Sequence, residues 1–419
     1  MTQIGSFIVF LFQPFIGFFF SLKNFSSIFG KLIFIVFATL WGYCQSFSYP
    51  PSDVYRLGAS FCQHGIYDFQ TIIEMFDEGK AIDGYLLSIN FLAHQFSNNA
   101  KVYFAMIGFV YGVLCCAVLS SLIKESGKKC EKHLAHILFL LFATSSFANI
   151  AMPRYWTAAW VATFLFLRIT HRNILSDLYS IILLPLLPLI HFSYVPIAAA
   201  LLVVAIVKNV ASYFPNFLFV SVCVIFVLSF ILPETLIGNL IPQEMLEESS
   251  KLSSKYTYVS GGADQEERVV LVNEISAYRE ANSFVTKLFQ RLMKLGSFLL
   301  LLYFQLRKNI LKKDSKVWKS YISVLIMALA AYFMSIIPST GWRYVNVLLM
   351  MLYVLLYRYY NVFRPVQFGR VIFIMYIMNI YTISFMIYVA YVTVDLILFY
   401  APFPFVIIHG IDFPPVNFV

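Results

Sequence analysis

Two short stretches place an arginine where apolar sequence would otherwise continue: "NIAMPRYWTAAW" at 149–160 and "IPSTGWRYVNVLL" at 337–349. In each, a proline and a short polar or small stretch precede Arg-Tyr, and an apolar run follows. Pro153 suits the first position of a helix, where its missing N–H leaves no bond unmade. Ser339 or Thr340 suits the cap of the helix that carries Arg343. Arg154 and Arg343 would then each lie in a first helical turn, among unpaired backbone N–H groups at the positive end of the dipole. Arginine and a helix N-terminus together suit a phosphate. Two such sites at one membrane face suggest a diphosphate. A single arginine at a span end ordinarily snorkels to lipid headgroups. Two at matching places, each followed by tyrosine, favour a bound anion.

Other residue types in the chain suit neighbouring chemistry. His191, in "LPLIHFSYVP", lies between Pro188 and Pro196. Those prolines should break or bend the helix pair and expose backbone near a membrane boundary. A histidine there can take a proton from a hydroxyl at neutral pH, or can simply be hydrogen-bonded within the bundle. Asp53 and Arg56, in "YPPSDVYRLG", have the spacing of an ion pair on one helical turn, with Asp53 a second candidate base. Asp83, in "KAIDGYLL", precedes a short apolar run and is placed to line a cavity. Lys287, Arg291 and Lys294 recur on one helix face with apolar residues between them. They make either an interfacial helix that binds lipid phosphates or the wall of a phosphate site.

The elements that must position these groups are membrane helices. The chain has 419 residues, 60% hydrophobic and 12% charged, against about 25% charged in a soluble domain. Apolar runs long enough to cross a bilayer recur along its length. Strand-like alternation is absent, so helices rather than a barrel must satisfy the backbone in lipid. The expected fold is all-α, a single polytopic transmembrane domain over 1–419. About 12 crossings are expected, at 4–22, 31–48, 101–123, 135–152, 154–168, 178–192, 194–207, 214–232, 287–306, 320–338, 342–358 and 371–391. The first run lacks a basic n-region and a cleavage site, and reads as a retained span. A first outer loop spans 49–100 and contains a re-entrant or interfacial segment at 84–96; a large outer loop spans 233–286. Its "YTYVSGGAD" reads as a mobile lid or as a solvated loop.

Charge fixes the expected orientation. Six loops on one side hold 18 of the 30 Lys and Arg and only four acids, Glu125, Glu131, Asp177 and Asp314. That side is cytoplasmic by the positive-inside rule, and the net charge of +9 implies no nucleic acid. Arg154, Arg343 and His191 fall at the outer face.

Several chemistries are not supported. There is no GxxxxGK[ST] loop, no GxGxxG after a strand and no HExxH. No Asp-x-Asp pair occurs in the outer loops, so a metal-dependent sugar transfer is not indicated, and no metal or cofactor is expected. The six cysteines suggest no disulfide framework. The paired Arg-Tyr sites hint at weak internal symmetry.

The order of five stretches carries a resemblance: "SDVYRLGASF" and "DGYLLSINFLA" early, "MPRYWTAAWVATFLFL", then "LIHFSYVPIAAALL", and a late "GWRYVNVLL". Together they resemble the EpsG-like and Wzy-type bacterial polysaccharide (O-antigen) polymerases over most of the chain. Many members carry a Glu-Pro-Gly-like triplet where this chain has Asp83-Gly84-Tyr85, and Arg-Gln where it has Arg154-Tyr155.

The resemblance implies a GT-C-like membrane glycosyltransferase architecture in the bacterial inner membrane, with its active face periplasmic. It implies that oligosaccharide repeat units carried on undecaprenyl diphosphate are joined into O-antigen, capsular or exopolysaccharide chains. A chain-length regulator protein is an expected kind of partner, beside the lipid-linked oligosaccharide and the membrane lipids. Arg154, Arg343, Arg56, Lys287 and Arg291 would hold the diphosphate, and His191 or Asp53 would take the acceptor proton. An O-antigen ligase, or another transferase using polyprenyl-linked sugars, employs the same chemistry. A flippase for lipid-linked sugars would instead line a central path with polar groups, whereas these charges cluster at the outer rim.

Overall fold

The computed structural model describes residues 3–47, 52–78, 81, 84–127, 132–171, 178–232, 276–336, 341–366 and 368–411. These residues are helical, with no strand and one isolated bridge between Gln45 and Val394. The helices are α1 (Gln3–Phe12), α2 (Pro14–Lys23), α3 (Ile28–Tyr43), α4 (Asp53–Gln63), α5 (Phe69–Asp77), α6 (Tyr85–His94), α7 (Ala100–Glu125), α8 (Lys132–Thr144) and α9 (Pro153–His171). There follow α10 (Leu178–Ile182), α11 (Leu186–Ile190), α12 (Val195–Ala211), α13 (Pro215–Ile231), α14 (Ser276–Leu306) and α15 (Lys308–Leu311). The last are α16 (Ser315–Met334), α17 (Gly341–Phe363), α18 (Phe368–Thr393), α19 (Ile397–Tyr400) and α20 (Phe403–Ile411).

Among the described residues, six helices are long and apolar enough to cross a membrane: α7, α8 with its 3-10 continuation to Ala151, α12 with the turn before it, α16, α17 and α18. On α18, Phe373, Ile377, Ile380 and Ile387 are exposed. An apolar surface of that extent belongs in hydrocarbon.

At the centre, α9 and α17 run parallel, side by side. At one end Arg343 lies over the Tyr155 ring, and Trp342 and Trp156 have ring centres 6.5 Å apart. Midway, the Thr163 hydroxyl reaches the Met350 sulfur at 4.0 Å. At the far end Arg358 donates to Thr170 Oγ1 at 2.5 Å and to the Leu167 carbonyl at 3.1 Å. The paired residues are 187 apart midway and 188 apart at Thr170, so the register holds. Every residue of α17 from Tyr344 to Tyr360 is buried, which makes this pair the core of the bundle.

The two ends of the pair define the two ends of the molecule. At the Arg358 end, Glu125 of α7 accepts from Arg358 Nε at 3.0 Å and Nη2 at 2.9 Å, and pairs with Lys316 of α16 at 3.0 Å. Arg358 also donates to Ser320 Oγ at 2.7 Å. Its charge is thus matched by a bidentate carboxylate and its remaining donors are filled, which is the condition for burying a guanidinium. The hub locks α7, α9, α16 and α17 together.

The 4–22 run, expected as one crossing, is a hairpin. Pro14 cannot continue α1, and the Gln13 side chain turns in to accept from the Phe15 and Ile16 amides. A Cβ on Gly17 would collide with the Phe10 backbone, so the two halves fold back in close contact. Asn24 reaches Ser6 at 3.4 Å, which returns the chain to the side where it began. Each arm is ten residues, about 15 Å at the α-helical rise and half a bilayer core.

Two further expectations change. The 178–192 run is broken into α10 and α11 at Leu183–Pro185. The chain after 391 forms α19 and α20, which pack on the hairpin: Gln13 donates to the Phe399 carbonyl, and Phe10 meets Phe403 with ring centres 5.8 Å apart. Of the large outer loop, 233–275 lies outside the described residues, and α14 begins at Ser276, within the expected loop.

Candidate functional site at the Arg154 end

The site is assembled from the first turns of α9 and α17 and from the bend at His191. Pro153 starts α9, with Arg154 half-buried beside it. Arg154 acts electrostatically on the buried Tyr103 hydroxyl of α7. Arg343 is half-buried, with its guanidinium carbon 5.4 Å from the centre of the Tyr155 ring and 6.0 Å from that of Trp342. A guanidinium over an aromatic face is held by the ring quadrupole, and its N–H fork stays available at the edges.

His191 approaches the same ring from another direction. It has extended backbone between α11 and a 3-10 turn at Phe192–Tyr194. Its ring centre lies 5.9 Å from that of Tyr155 and 6.4 Å from that of Tyr194. Two bonds pin this bend. Tyr344 donates to the Ser193 carbonyl at 2.6 Å, and the Gly84 amide donates to the Leu189 carbonyl at 2.8 Å. Tyr85 lies on the same side, its hydroxyl 3.5 Å from Thr157 of α9. Gly84 and Tyr85 therefore reach the same end of the bundle as His191. Asp83 itself lies outside the described residues, as do Ser339 and Thr340.

A cleft of about 150 Å³ has Trp342 in its wall. Its walls include Lys287, Arg291 and Lys294 of α14, Ser229 and Phe230 of α13, and Ser335. The three basic residues share a face, yet they differ in role. Lys294 is buried, donates to the Ser229 carbonyl at 3.0 Å, and sits 4.4 Å from the Phe230 ring centre. Lys287 and Arg291 are exposed. Lys294 therefore ties α13 to α14, and the other two present charge to the cleft.

Asp53 and Arg56 lie on α4. They pair with each other on the exposed first turn of α4, where Ser52 caps the helix by accepting from Tyr55 N at 3.1 Å. One turn inward from Arg343, Asn346 is fully enclosed. Neither its Oδ1 nor its Nδ2 has a hydrogen-bond partner among the described residues. Among those residues no group of three His, Cys, Asp or Glu is placed to hold a metal.

The structure thus brings together Arg343, Tyr155 and His191, sets Arg154 near Tyr103 of α7, and lines one cleft with Lys287, Arg291 and Trp342. The sequence signals for the arginines lay in the Pro…Arg-Tyr pattern. Trp342, Trp156 and Tyr194 carried no such signal, because aromatic residues are frequent throughout the chain. Comparison with known protein families, curated proteins and solved structures finds no match to this chain.

Proposed function

We propose that this protein is a membrane glycosyltransferase that joins polyprenyl-diphosphate-linked oligosaccharide units into a polysaccharide at the Arg154 end. The observation that carries the reading is the convergence of Arg343, Tyr155 and His191, with Lys287 and Arg291 in the wall of a cleft that Trp342 also lines. Transfer from a lipid diphosphate needs two things of a protein: cations for the departing diphosphate and a base for the incoming hydroxyl.

In this reading an acceptor hydroxyl attacks the anomeric carbon of the donor sugar. The new C–O bond forms as the bond between that carbon and the diphosphate oxygen breaks. The lipid diphosphate leaves with the electron pair, met by Arg154 and Arg343, while Lys287 and Arg291 assist. The hydroxyl proton passes to His191. Asp53, engaged by Arg56, is the weaker candidate for that role. The positive-inside bias supports a non-cytoplasmic placement of this end, which in this reading is the periplasmic side of a bacterial inner membrane.

Deletion of the gene, followed by mass-resolved analysis of surface and lipid-linked glycans, tests the reading. Loss of long chains with single repeat units retained supports polymerisation. Long chains that persist on undecaprenyl diphosphate without reaching lipid A indicate a ligase. Repeat units held in the cytoplasmic leaflet indicate a transporter. If Arg154→Ala and Arg343→Ala both leave polymer amount and length unchanged at normal protein levels, the proposed site is wrong.

A further inference from the structure

A second cavity lies at the opposite end, 520 Å³ in volume, between the turn that leads into α3 and the end of α7. Lys31 and Lys124 face it, with Ser26, Ser120 and Ser121. The geometry of both elements is set independently of any ligand. Ser27 caps α3 by accepting from Gly30 N at 3.0 Å and donates to the Asn24 carbonyl at 2.8 Å. The last turn of α7 closes with Ser126, and Gly127 follows at φ 81°, a left-handed conformation that glycine adopts without strain.

Among the described residues the cavity is lined by two lysines and no acidic side chain. Glu125, next in sequence to Lys124, is committed to Arg358 and Lys316. Neither Lys31 nor Lys124 has an ion-pair partner among the described residues. Ser121 spends its proton on the Ala117 carbonyl at 2.7 Å, but Ser120 has only a 3.8 Å contact with the Cys116 sulfur, so its O–H can turn to an anion. Phe25 and Ile123 also line the pocket, and beside it α3 exposes Ile28, 83% accessible, together with Phe29 and Leu32. On the neighbouring hairpin Phe19 and Leu22 are also exposed. A soluble anion has no use for such a rim; an acyl chain does.

We propose that this cavity binds the phosphate headgroup of an anionic phospholipid, with Lys31 and Lys124 on the phosphate and the acyl chains along Ile28 and Leu32. Two lysines on one phosphodiester, close to a membrane surface, give a headgroup-selective site. This inference does not depend on the glycosyl-transfer reading, since the site lies at the other end of α7.

The test uses the purified full-length protein in detergent. Native mass spectrometry and thermal melts are run with added phosphatidylglycerol, phosphatidylcholine or inorganic phosphate. The expected result is retained phosphatidylglycerol and a raised melting temperature for the wild type, with no effect of phosphatidylcholine or phosphate. K31Q/K124Q should weaken phosphatidylglycerol binding roughly tenfold or more, from the loss of two surface cations. Should that variant fail to fold, Ser120→Leu, which removes a hydroxyl from the cavity wall, narrows the cavity and leaves both lysines, must also weaken it. Equal protection by inorganic phosphate would make this a soluble-anion site, and undiminished phosphatidylglycerol binding by either variant would overturn the proposal.

Discussion

The Arg343 guanidinium carbon lies 5.4 Å from the centre of the Tyr155 ring, which joins residues from opposite halves of the chain. The ring that carries this contact belongs to the residue after Arg154. Among the described residues no carboxylate pairs with Arg343, so the aromatic face orients the cation and leaves its charge for an anionic ligand. Tyr155→Phe keeps the face and should retain most polymer formation. Tyr155→Leu removes it and forfeits about 0.5–2 kcal/mol of orientation, a few-fold to about thirty-fold loss. Quantifying lipid-linked and polymeric glycan from cells that express each variant at equal level checks the order. Equal effects of Phe and Leu would show that the hydroxyl, not the face, matters.

At the far end of the same helix pair the Arg358–Glu125 contact is a stability element. The Arg358 side chain is 2% exposed and that of Glu125 16%. Arg358→Met should destabilise the protein by about 3 kcal/mol, at the low end for breaking a buried pair, because Lys316 still neutralises Glu125. The double variant Glu125→Met, Arg358→Met should recover most of the loss, since neither charge is then stranded. Thermal melts in detergent distinguish the two, and the glycan phenotype should track protein amount alone.

How much of this was legible beforehand varies with the kind of signal. The two Arg-Tyr sites were readable because a charge interrupts an apolar run, and a proline before the first fixes its helix start. That both lie at one end followed from counting basic residues in loops. The parallel register of α9 and α17 was not readable, since it depends on which helices meet across about 190 residues, and only a faint internal symmetry hinted at it. The hairpin at Gln13 had a signal that hydropathy hides: Gln-Pro in the middle of an apolar run costs nothing in mean hydropathy, yet it ends a helix. The role of Glu125 was invisible for a related reason. As one of four acids on the basic side it read as loop charge, whereas its burial against Arg358 depends on four helices converging.

His191 and the pair Lys287 and Arg291 should fail in different ways. His191 meets the rings of Tyr155 and Tyr194 and is fixed by bonds to its neighbours, so removing its imidazole leaves the bend standing. His191→Gln should lower turnover by about 10²–10⁴, the usual contribution of a general base, with KM little changed. Lys287→Ala with Arg291→Ala takes charge from an exposed wall and should mainly raise KM for the lipid-linked substrate. Steady-state kinetics on purified protein with a synthetic polyprenyl-diphosphate donor separate the two. A loss confined to KM in His191→Gln would remove it from the chemistry.

Asn346 is where stability and activity should part. Its amide is fully enclosed one turn inward from Arg343, and neither polar atom has a protein partner among the described residues. An unsatisfied buried amide costs about 1–3 kcal/mol, which an apolar residue of similar volume would recover. Asn346→Leu should therefore raise the melting temperature. A side chain that supports Arg343 or an ordered water beneath the site would then be missed in turnover, as expected where a polar group is kept in a core against its own stability. Asn346→Asp buries a carboxylate in a fully enclosed position and should lower the melting temperature. A Leu variant that is more stable and fully active would make Asn346 a packing residue and shift attention back to the rim formed by Arg154, Trp342 and His191.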